Sequence, residues 1–216
     1  MTDSLLKYRE QHKHRLNYMP WLYWSLKPKH RVWAEAWQQE YQAYLMAMET
    51  VEIGNNCFIS PLAHIFAEPG RQIRIGDNTF IAADCTLHGP LEIGNEVAIN
   101  HHCILDGGRV GIKLHDQVRI AAYCHLYAFD HGMALDQPIY QQAVRSQGIE
   151  VGKDVWLGAH VGVDDQVRHQ VGPCGLHEDV DLARRARSAL GVADDPAHRV
   201  PGRNRACADE LFAGLK

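Results

Sequence analysis

His131 is the residue whose type and setting most directly suggest chemistry. It lies in a short irregular segment, FDHG at residues 129–132, and a regular unit, IEVGKDVWLG at residues 149–158, follows it. Imidazole has an unperturbed pKa of about 6.5, so a neutral histidine can accept a proton from a reacting group near pH 7. The chain has 14 histidines, and a histidine on a folded surface is commonly just solvated. The role of His131 therefore depends on the elements that hold it.

Six-residue repeats are the elements that must position His131. Each repeat begins with a branched apolar residue and continues with a small or polar one, as in IGNNCF, IGDNTF and VGKDVW. Such a unit makes one short strand and a turn, and three units close a triangular coil that stacks on the next, about 4.8 Å away, through parallel strands. Sets of three units predict five coils, which begin at Ile53, Ile75, Ile93, Leu114 and Val151.

The largest insertion into this repeat occupies residues 127–148, between the fourth and fifth coils, and contains His131. A long insertion without secondary-structure signals is more often functional than decorative. A catalytic imidazole also needs a hydrogen-bond partner for its second nitrogen, because that partner fixes the tautomer. Asp130, Asp136 and a backbone carbonyl group are equal candidates for this partner.

The units IGNNCF, IGDNTF, IGNEVA and VGKDVW, with GKDVWLGAHV after a loop that carries a histidine, resemble the hexapeptide-repeat acyltransferases. The resemblance covers residues 51–168. It implies a mainly β fold, the left-handed parallel β-helix, which usually assembles as a trimer. It also implies that acetyl-coenzyme A is the acyl donor. The spacing of His131 from VGKDVWLG most resembles the branch that acetylates a hydroxyl group of a sugar or a similar small acceptor.

Four residues are candidates for roles in this reaction, the first of them by the same resemblance. His131 is the general base, which takes the acceptor's proton while the acetyl group moves directly from the thioester; such a base typically contributes about 10²- to 10⁴-fold in rate. The backbone N–H groups of Gly158 and Ala159 are candidates to hold the oxyanion of the tetrahedral intermediate. Trp156, expected at a corner of the coil, packs either against the pantetheine arm of coenzyme A or against a neighbouring subunit. No metal ligand is assigned.

Two other functions stay open. A γ-class carbonic anhydrase-like site would hold zinc through three histidines from adjacent subunits of the same β-helix. Coil histidines such as His125 would serve it, but the separation of His125 from His131 is wrong, and Arg74 and Asp77 miss the expected arginine and aspartate pattern by one residue. The other alternative is a trimeric β-helix scaffold whose catalysis is impaired.

The N-terminal segment, residues 1–48, is predicted to be helical. Pro20 and Pro28 mark breaks in it, and the stretch from Val32 to Met48 places its apolar residues near the 3.6-residue period of a helix with one buried face. A cap or packing arm for the β-helix domain at residues 49–168 is the simplest interpretation. An acceptor site lined by the tryptophans and tyrosines of this segment is the alternative.

The cysteines of the coils are predicted to be small buried thiols. Cys57, Cys85, Cys103 and Cys124 all occupy the fifth position of a unit, which points inward and needs a small side chain. The last three belong to the second unit of consecutive coils, so they form one column. The sequence contains no CxxC pair, which argues against a zinc finger.

The repeat ends near Arg168, and the tail at residues 169–216 is rich in arginine and alanine. One interpretation is a basic helix at residues 176–190 that caps the open end of the β-helix, as exposed strand edges require. The other is a reading frame displaced near Arg168, which would make the tail an unselected sequence. In the resembling family the coils after the loop supply much of the coenzyme A groove. The activity predicted for this chain is therefore in doubt.

Composition limits the remaining function classes. The 216 residues favour one substantial domain with an appendage, and the formal net charge of -4 argues against nucleic-acid or anionic-membrane partners. The first residues lack the apolar segment of a secretory signal, and no apolar run approaches the roughly 20 residues needed to span a bilayer. The sequence therefore predicts a cytoplasmic protein that binds small molecules and copies of itself.

Overall fold

The repeats fold as a parallel β-solenoid. A computed structural model describes residues 3–165 and 168–169, and it confirms the predicted fold class. Five coils of three strands follow one another, and one further strand extends the first sheet. The strands are β1 (Val51–Ile53), β2 (Phe58–Ile59), β3 (His64–Phe66), β4 (Ile73–Ile75), β5 (Phe80–Ile81), β6 (Thr86–His88), β7 (Leu91–Ile93), β8 (Ala98–Ile99), β9 (Ile104–Asp106), β10 (Ile112–Leu114), β11 (Arg119–Ile120), β12 (His125–Tyr127), β13 (Ile149–Val151), β14 (Trp156–Leu157), β15 (Gly162–Asp164) and β16 (Arg168–His169).

Three parallel sheets form the faces of the triangular coils. The first has the order β1-β4-β7-β10-β13-β16, the second β14-β11-β8-β5-β2, and the third β15-β12-β9-β6-β3. Each strand pairs with its equivalent in the next coil, as Val51 does with Ile73 and Ile73 with Leu91. The insertions at the corners therefore leave the register of the strands intact. The tail beyond residue 169, with the helix expected at residues 176–190, lies outside the described residues.

Inward-facing side chains fill the solenoid as one apolar core. Burial of one such Leu or Ile side chain stabilises a fold by about 1.5–3 kcal/mol. Equivalent residues of successive coils lie in columns, and those with 0% exposure include Ile59, Ile81, Ile99, Ile120, Leu87, Leu105 and Leu126. Cys57, Cys85, Cys103 and Cys124 are buried in the same core as free thiols, which confirms the prediction for them.

The outer face of the first sheet carries a ladder of alternating charge. The central residues of its strands pair in register in the order Glu52, Arg74, Glu92, Lys113 and Glu150. Glu52 Oε2 lies 3.1 Å from Arg74 Nε, and Glu92 Oε2 lies 3.7 Å from Lys113 Nζ. The backbone of Arg168 takes the next position, beside Glu150. Opposite charges that face each other across two strands contribute roughly 0.2–1 kcal/mol per pair.

The N-terminal segment forms two helices, α1 (Asp3–Tyr18) and α2 (Pro28–Met48), with a one-turn 3-10 helix at Pro20–Leu22 between them. The predicted helical segment is thus confirmed. The helices pack on the outer face of the second sheet through an apolar cluster formed by Leu16, Tyr23, Ala34, Phe58, Phe80 and Ala98. No helix in the described part of the chain is long and apolar enough to cross a membrane.

Gln38 of α2 takes the place of a neighbouring strand at the first edge of the second sheet. Its Nε2 donates to the carbonyl of Ile59 at 3.1 Å, and its Oε1 accepts from the N–H of Ile59 at 2.8 Å. Gln42, one turn later, donates to the carbonyl of Cys57 at 2.9 Å. Since a buried peptide group without a partner is costly, these amides close an edge that the first coil leaves open.

Candidate active site

The loop that carries His131 has an entry limb after β12, a tip, and a return limb before β13. The two limbs are hydrogen-bonded to each other, and the tip has hydrogen bonds of its own. Residues 128–148 join β12 to β13, and the two limbs meet at Asp130 and Arg145, whose N–H groups each donate to the other's carbonyl at 2.8 Å. Ser146 Oγ donates to the carbonyl of Ala128 at 2.6 Å, which ties the limbs together again. The loop is therefore held at a defined place on the corner between the third and first sheets.

Gln142 organises the tip of this loop. Its Oε1 accepts from the N–H of Ala134 at 2.8 Å, and its Nε2 donates to the carbonyls of Ala134 and Gln137 at 2.9 and 2.8 Å. A Cβ at Gly132 would lie 2.7 Å from Gln142 Oε1 and 2.8 Å from Gln142 Cβ, so a side chain there would displace Gln142. Five large apolar side chains of the tip stand exposed: Met133, Leu135, Ile139, Tyr140 and Val144.

His131 begins the tip, directly after the bridge between the limbs. Its side chain is exposed, and its backbone N–H donates to Asp130 Oδ1 at 2.8 Å. Asp130 thus uses its carboxylate on the backbone of His131 and not on the imidazole. Within residues 3–165, no hydrogen bond reaches the imidazole from Asp136 or from a carbonyl group either. None of the predicted tautomer partners is in place inside one protomer.

Trp156 lies on a strand and not at the predicted corner. It begins β14 on the outer face of the second sheet, in register with Arg119, and its side chain is 40% exposed. The sixth position of a unit is the first residue of a strand, whereas the turn occupies the third and fourth positions, where Asp154 has a φ of 59°. The expectation of a corner was wrong because it put the turn two residues too late.

Gly158 and Ala159 lie where the second sheet turns toward the third. Gly158 is buried and its carbonyl accepts from Cys124 Sγ at 2.9 Å, whereas Ala159 is exposed. In the coils below, the residue equivalent to Gly158 donates its N–H to the next coil, as Ala121 does to the carbonyl of Leu157 at 2.9 Å. The N–H of Gly158 has no such acceptor among the described residues.

The predicted site residues therefore occupy two different corners of the solenoid. His131 belongs to the corner between the third and first sheets, and Gly158 with Ala159 belongs to the corner between the second and third. In the part of the chain that the structure covers, no hydrogen bond joins His131 to either residue.

Two residues that the sequence analysis missed hold the base of the loop. Ser146 Oγ accepts from the N–H groups of Arg109 and Val110 at 3.0 and 3.1 Å. Asp165, only 6% exposed, accepts from the N–H groups of Gln147 and Gly148 at 2.7 and 2.8 Å. A signal for Asp165 was present, because the equivalent position is Ala67, Gly89, Gly107 and Ala128 in the earlier coils.

The coil histidines belong to the corner between the second and third sheets, where Gly158 and Ala159 also lie. The fourth positions of the second units carry Asp84, His102, Tyr123 and His160, with φ between 58° and 64°. The rings of the last three stack, with centroids 4.8 Å apart for His102 and Tyr123 and 5.0 Å apart for Tyr123 and His160. Among the residues that the structure describes, no three His, Cys, Asp or Glu side chains are grouped as a metal site.

Burial makes the thiols of the coils unreactive. Burial raises the pKa of Cys57. The Cys124 thiol lowers the pKa of Cys103, but hydrogen bonding with Cys85 and burial outweigh it, and the pKa of Cys103 rises to about 12. Because the thiolate is the reactive form, these groups are unsuited to nucleophilic catalysis near neutral pH.

Comparison with solved structures identifies the architecture. A point mutant of AntD, an N-acyltransferase from Bacillus cereus, in complex with dTDP and coenzyme A, is 28% identical, with a TM-score of 0.51 over 57% of this chain and 69% of that one. The chain has the fold of the hexapeptide-repeat acyltransferases. Another point mutant of AntD, in complex with dTDP-4-amino-4,6-dideoxyglucose and coenzyme A, is 29% identical with a TM-score of 0.49 over the same shares, 57% and 69%.

A more distant member of this acyltransferase fold is a hexapeptide-repeat-containing acetyltransferase from Vibrio cholerae. It is 19% identical, with a TM-score of 0.38 over 77% of this chain and 72% of that one. No protein-family profile and no curated protein matches the chain. The hexapeptide-repeat acyltransferase fold thus rests on the repeat, on the solenoid and on the likeness to AntD.

Proposed function

We propose that this chain is an acyltransferase that moves an acetyl group from acetyl-coenzyme A to a hydroxyl group of a sugar-derived acceptor. The observation that carries the proposal is the exposed His131 on a hydrogen-bonded loop of a hexapeptide-repeat solenoid. The likeness to AntD, an N-acyltransferase in complex with dTDP and coenzyme A, supports a coenzyme A thioester as the donor. An amine acceptor is the alternative that the same likeness favours.

In this mechanism the acceptor oxygen attacks the thioester carbonyl while its proton passes to the His131 imidazole. A C–O bond forms, the tetrahedral intermediate collapses, and the C–S bond breaks. The departing thiolate takes the proton back from the imidazolium, so His131 ends the cycle neutral. No acyl-enzyme forms, which agrees with the burial of the four cysteines of the coils.

The backbone N–H groups of Gly158 and Ala159 are proposed to stabilise the oxyanion. Donors aimed at the developing negative charge are typically worth about 10²- to 10³-fold in rate for each donor removed. Support comes from the exposed position of Ala159, beside the strand that carries Trp156. The exposed face of Trp156 is proposed to contact the pantetheine arm.

The active site is proposed to form between subunits of a homotrimer. His131 and Ala159 occupy different corners of one protomer, so a site that uses both needs a second copy. The exposed apolar tip of the loop supports this assembly, since side chains such as Leu135 and Tyr140 gain stability when a neighbouring subunit covers them.

The test is release of free coenzyme A from acetyl-coenzyme A in the presence of sugars, amino sugars and dTDP-sugars. We expect turnover with a hydroxyl acceptor, and loss of about 10²- to 10⁴-fold in His131→Ala with the oligomer intact. His64→Ala, which removes an exposed histidine of β3, is the matched control and keeps full activity. Unchanged turnover in His131→Ala would refute the base, and turnover with amines alone would refute the acceptor.

Metal analysis of the purified protein separates this proposal from the carbonic anhydrase-like alternative. The proposed mechanism needs no metal, because the imidazole takes the proton from the acceptor directly. Zinc at one equivalent per subunit, retained without added metal and required for activity, would contradict the acyltransferase proposal.

A further inference from the structure

Asp165 is a buried carboxylate in a position that the other coils fill with alanine or glycine. It follows β15, and the equivalent residues Ala67 and Ala128 are completely buried. Asp165 is itself only 6% exposed. Burying a carboxylate is unfavourable unless hydrogen bonds compensate it, so the aspartate needs a role that an alanine cannot fill.

The carboxylate binds the return limb of the loop. Asp165 Oδ1 accepts from the N–H groups of Gln147 and Gly148 at 2.7 and 2.8 Å, and Oδ2 accepts from Gln147 at 2.9 Å. Hydrogen bonds to an ionised acceptor are roughly twice as strong as neutral ones. Gly148 has a φ of 88°, and a Cβ there would lie 2.9 Å from Val110 Cγ1 and 3.0 Å from the carbonyl oxygen of Gly111, so this position of the limb favours glycine.

A short chain of contacts connects this anchor to His131. Gln147 follows Ser146, whose hydroxyl binds Ala128 of the entry limb, and Arg145 pairs with Asp130 through two backbone hydrogen bonds. His131 is the next residue. The anchor therefore fixes the positions at which both limbs leave the solenoid. It thereby fixes the position of the His131 backbone, from which the imidazole extends.

We propose that Asp165 is a positioning residue, which holds His131 in its catalytic place by fixing the return limb of the loop to the fifth coil. This inference rests on the proposed function, because it takes His131 as the base. A displacement of a catalytic group by about 1 Å can cost about 10²-fold in rate, so an anchor of this kind has a measurable effect on turnover.

The test uses Asp165→Asn and Asp165→Ala in the full chain, with Asp164→Asn as the control. Asp164 is the exposed neighbour on β15, and removing its charge leaves the loop untouched. Asparagine keeps one acceptor oxygen, so we expect kcat to fall about 10-fold in Asp165→Asn and about 10²-fold in Asp165→Ala. The KM for acetyl-coenzyme A stays within about two-fold, and Asp164→Asn behaves as wild type.

A double-mutant cycle distinguishes positioning from a general loss of structure. In a His131→Ala background, Asp165→Asn is expected to cost nothing further in kcat, because the group it positions is already gone. An equal fold loss in both backgrounds would overturn the proposal, since the aspartate would then act independently of His131.

Amide hydrogen exchange tests the anchor without any assay of activity. We expect exchange of residues 128–148 to rise at least about 10-fold in Asp165→Asn, while the coil strands exchange as in wild type. Unchanged exchange in this segment would overturn the anchor. Failure of the proposed function shows separately, as absence of turnover in the wild-type protein.

Discussion

At the scale of single residues, Ala159 offers a direct test of the oxyanion site. It occupies the third position of its unit, and Pro61 occupies the equivalent position in the first coil. The solenoid therefore accepts proline at this corner, since proline suits the first central position of a turn and lacks only the N–H. A change at Ala159 can remove the proposed donor and leave the fold in place.

We expect Ala159→Pro to lower kcat about 10²-fold with an unchanged melting temperature, because one oxyanion donor is lost. Steady-state kinetics and thermal denaturation measure the two quantities. Ala122→Pro, which makes the same change one coil lower, is the control and retains activity. Equal activity in Ala159→Pro and wild type would remove Ala159 from the site.

The resemblance to the hexapeptide-repeat acyltransferases predicted His131 as the candidate base, but it did not predict which residues contact His131. The tautomer partner could not be chosen because Asp130 turns its carboxylate to the His131 backbone, a choice made by local loop geometry. Asp165 differs from the alanine or glycine of the earlier coils, but its role could not be predicted because its partners, Gln147 and Gly148, lie 18 and 17 residues earlier in the chain. Contacts between an irregular loop and a coil leave no period in the sequence.

At the scale of elements, the coils could be predicted because every unit repeats one pattern of burial. The helical segment was also predictable, since prolines and a 3.6-residue period mark it. Its mode of attachment was not, because Gln38 is a polar residue on the buried face of α2, where a pattern of apolar residues alone predicts none. The role of Gln38 is visible only in the folded structure, where its amide pairs with the backbone of Ile59.

We expect Gln38→Leu to lower the free energy of unfolding by about 2–3 kcal/mol, because both the N–H and the carbonyl of Ile59 lose their partner. Denaturation by urea, followed by circular dichroism, measures the change. Gln39→Leu, at the next and exposed position of the same helix, should change it by less than about 0.5 kcal/mol. Equal stability of the Gln38→Leu and Gln39→Leu proteins would contradict this role.

The contact between α1 and the coils carries a dependence on pH. Burial lowers the pKa of His101 below 6.5, and the neighbouring His102 acts in the same direction, while the ring of Tyr18 from α1 lies 6.0 Å away. Below pH 6.5 the unfolded chain binds a proton that the folded chain resists, so stability falls as the pH falls. Burial lowers the pKa of His12 in α1 as well, which adds to the effect.

We therefore expect the wild-type protein to be less stable at about pH 5.5 than at about pH 7.5, and His101→Gln to lose part of this difference. Urea denaturation at the two pH values gives the comparison. His64→Gln, a change of an exposed histidine on β3, keeps the wild-type difference. A His101→Gln protein with the full pH dependence would show that this imidazole does not contribute to it.

At the scale of the whole molecule, the two corners of the proposed site lead to a complementation experiment. Mixed oligomers of His131→Ala and Ala159→Pro subunits contain interfaces at which each subunit supplies the residue that the other lacks. In a trimer that contains both variants, one of the three interfaces is complete, so the isolated mixed oligomers should recover about a third of the wild-type activity. Co-expression with two different tags isolates the mixed oligomers, and activity no higher than in the parents would place the site within one subunit.

The ladder of alternating charge on the first sheet has a consequence for how the solenoid assembles. The coils are nearly interchangeable in shape, so a folding chain could skip one and pair β1 with β7 in place of β4. That pairing would bring Glu52 against Glu92. Pairing of β4 with β10 in place of β7 would likewise bring Arg74 against Lys113, and both pairs are repulsive. The alternating charges therefore favour pairing between strands of consecutive coils and disfavour every pairing that omits a single coil.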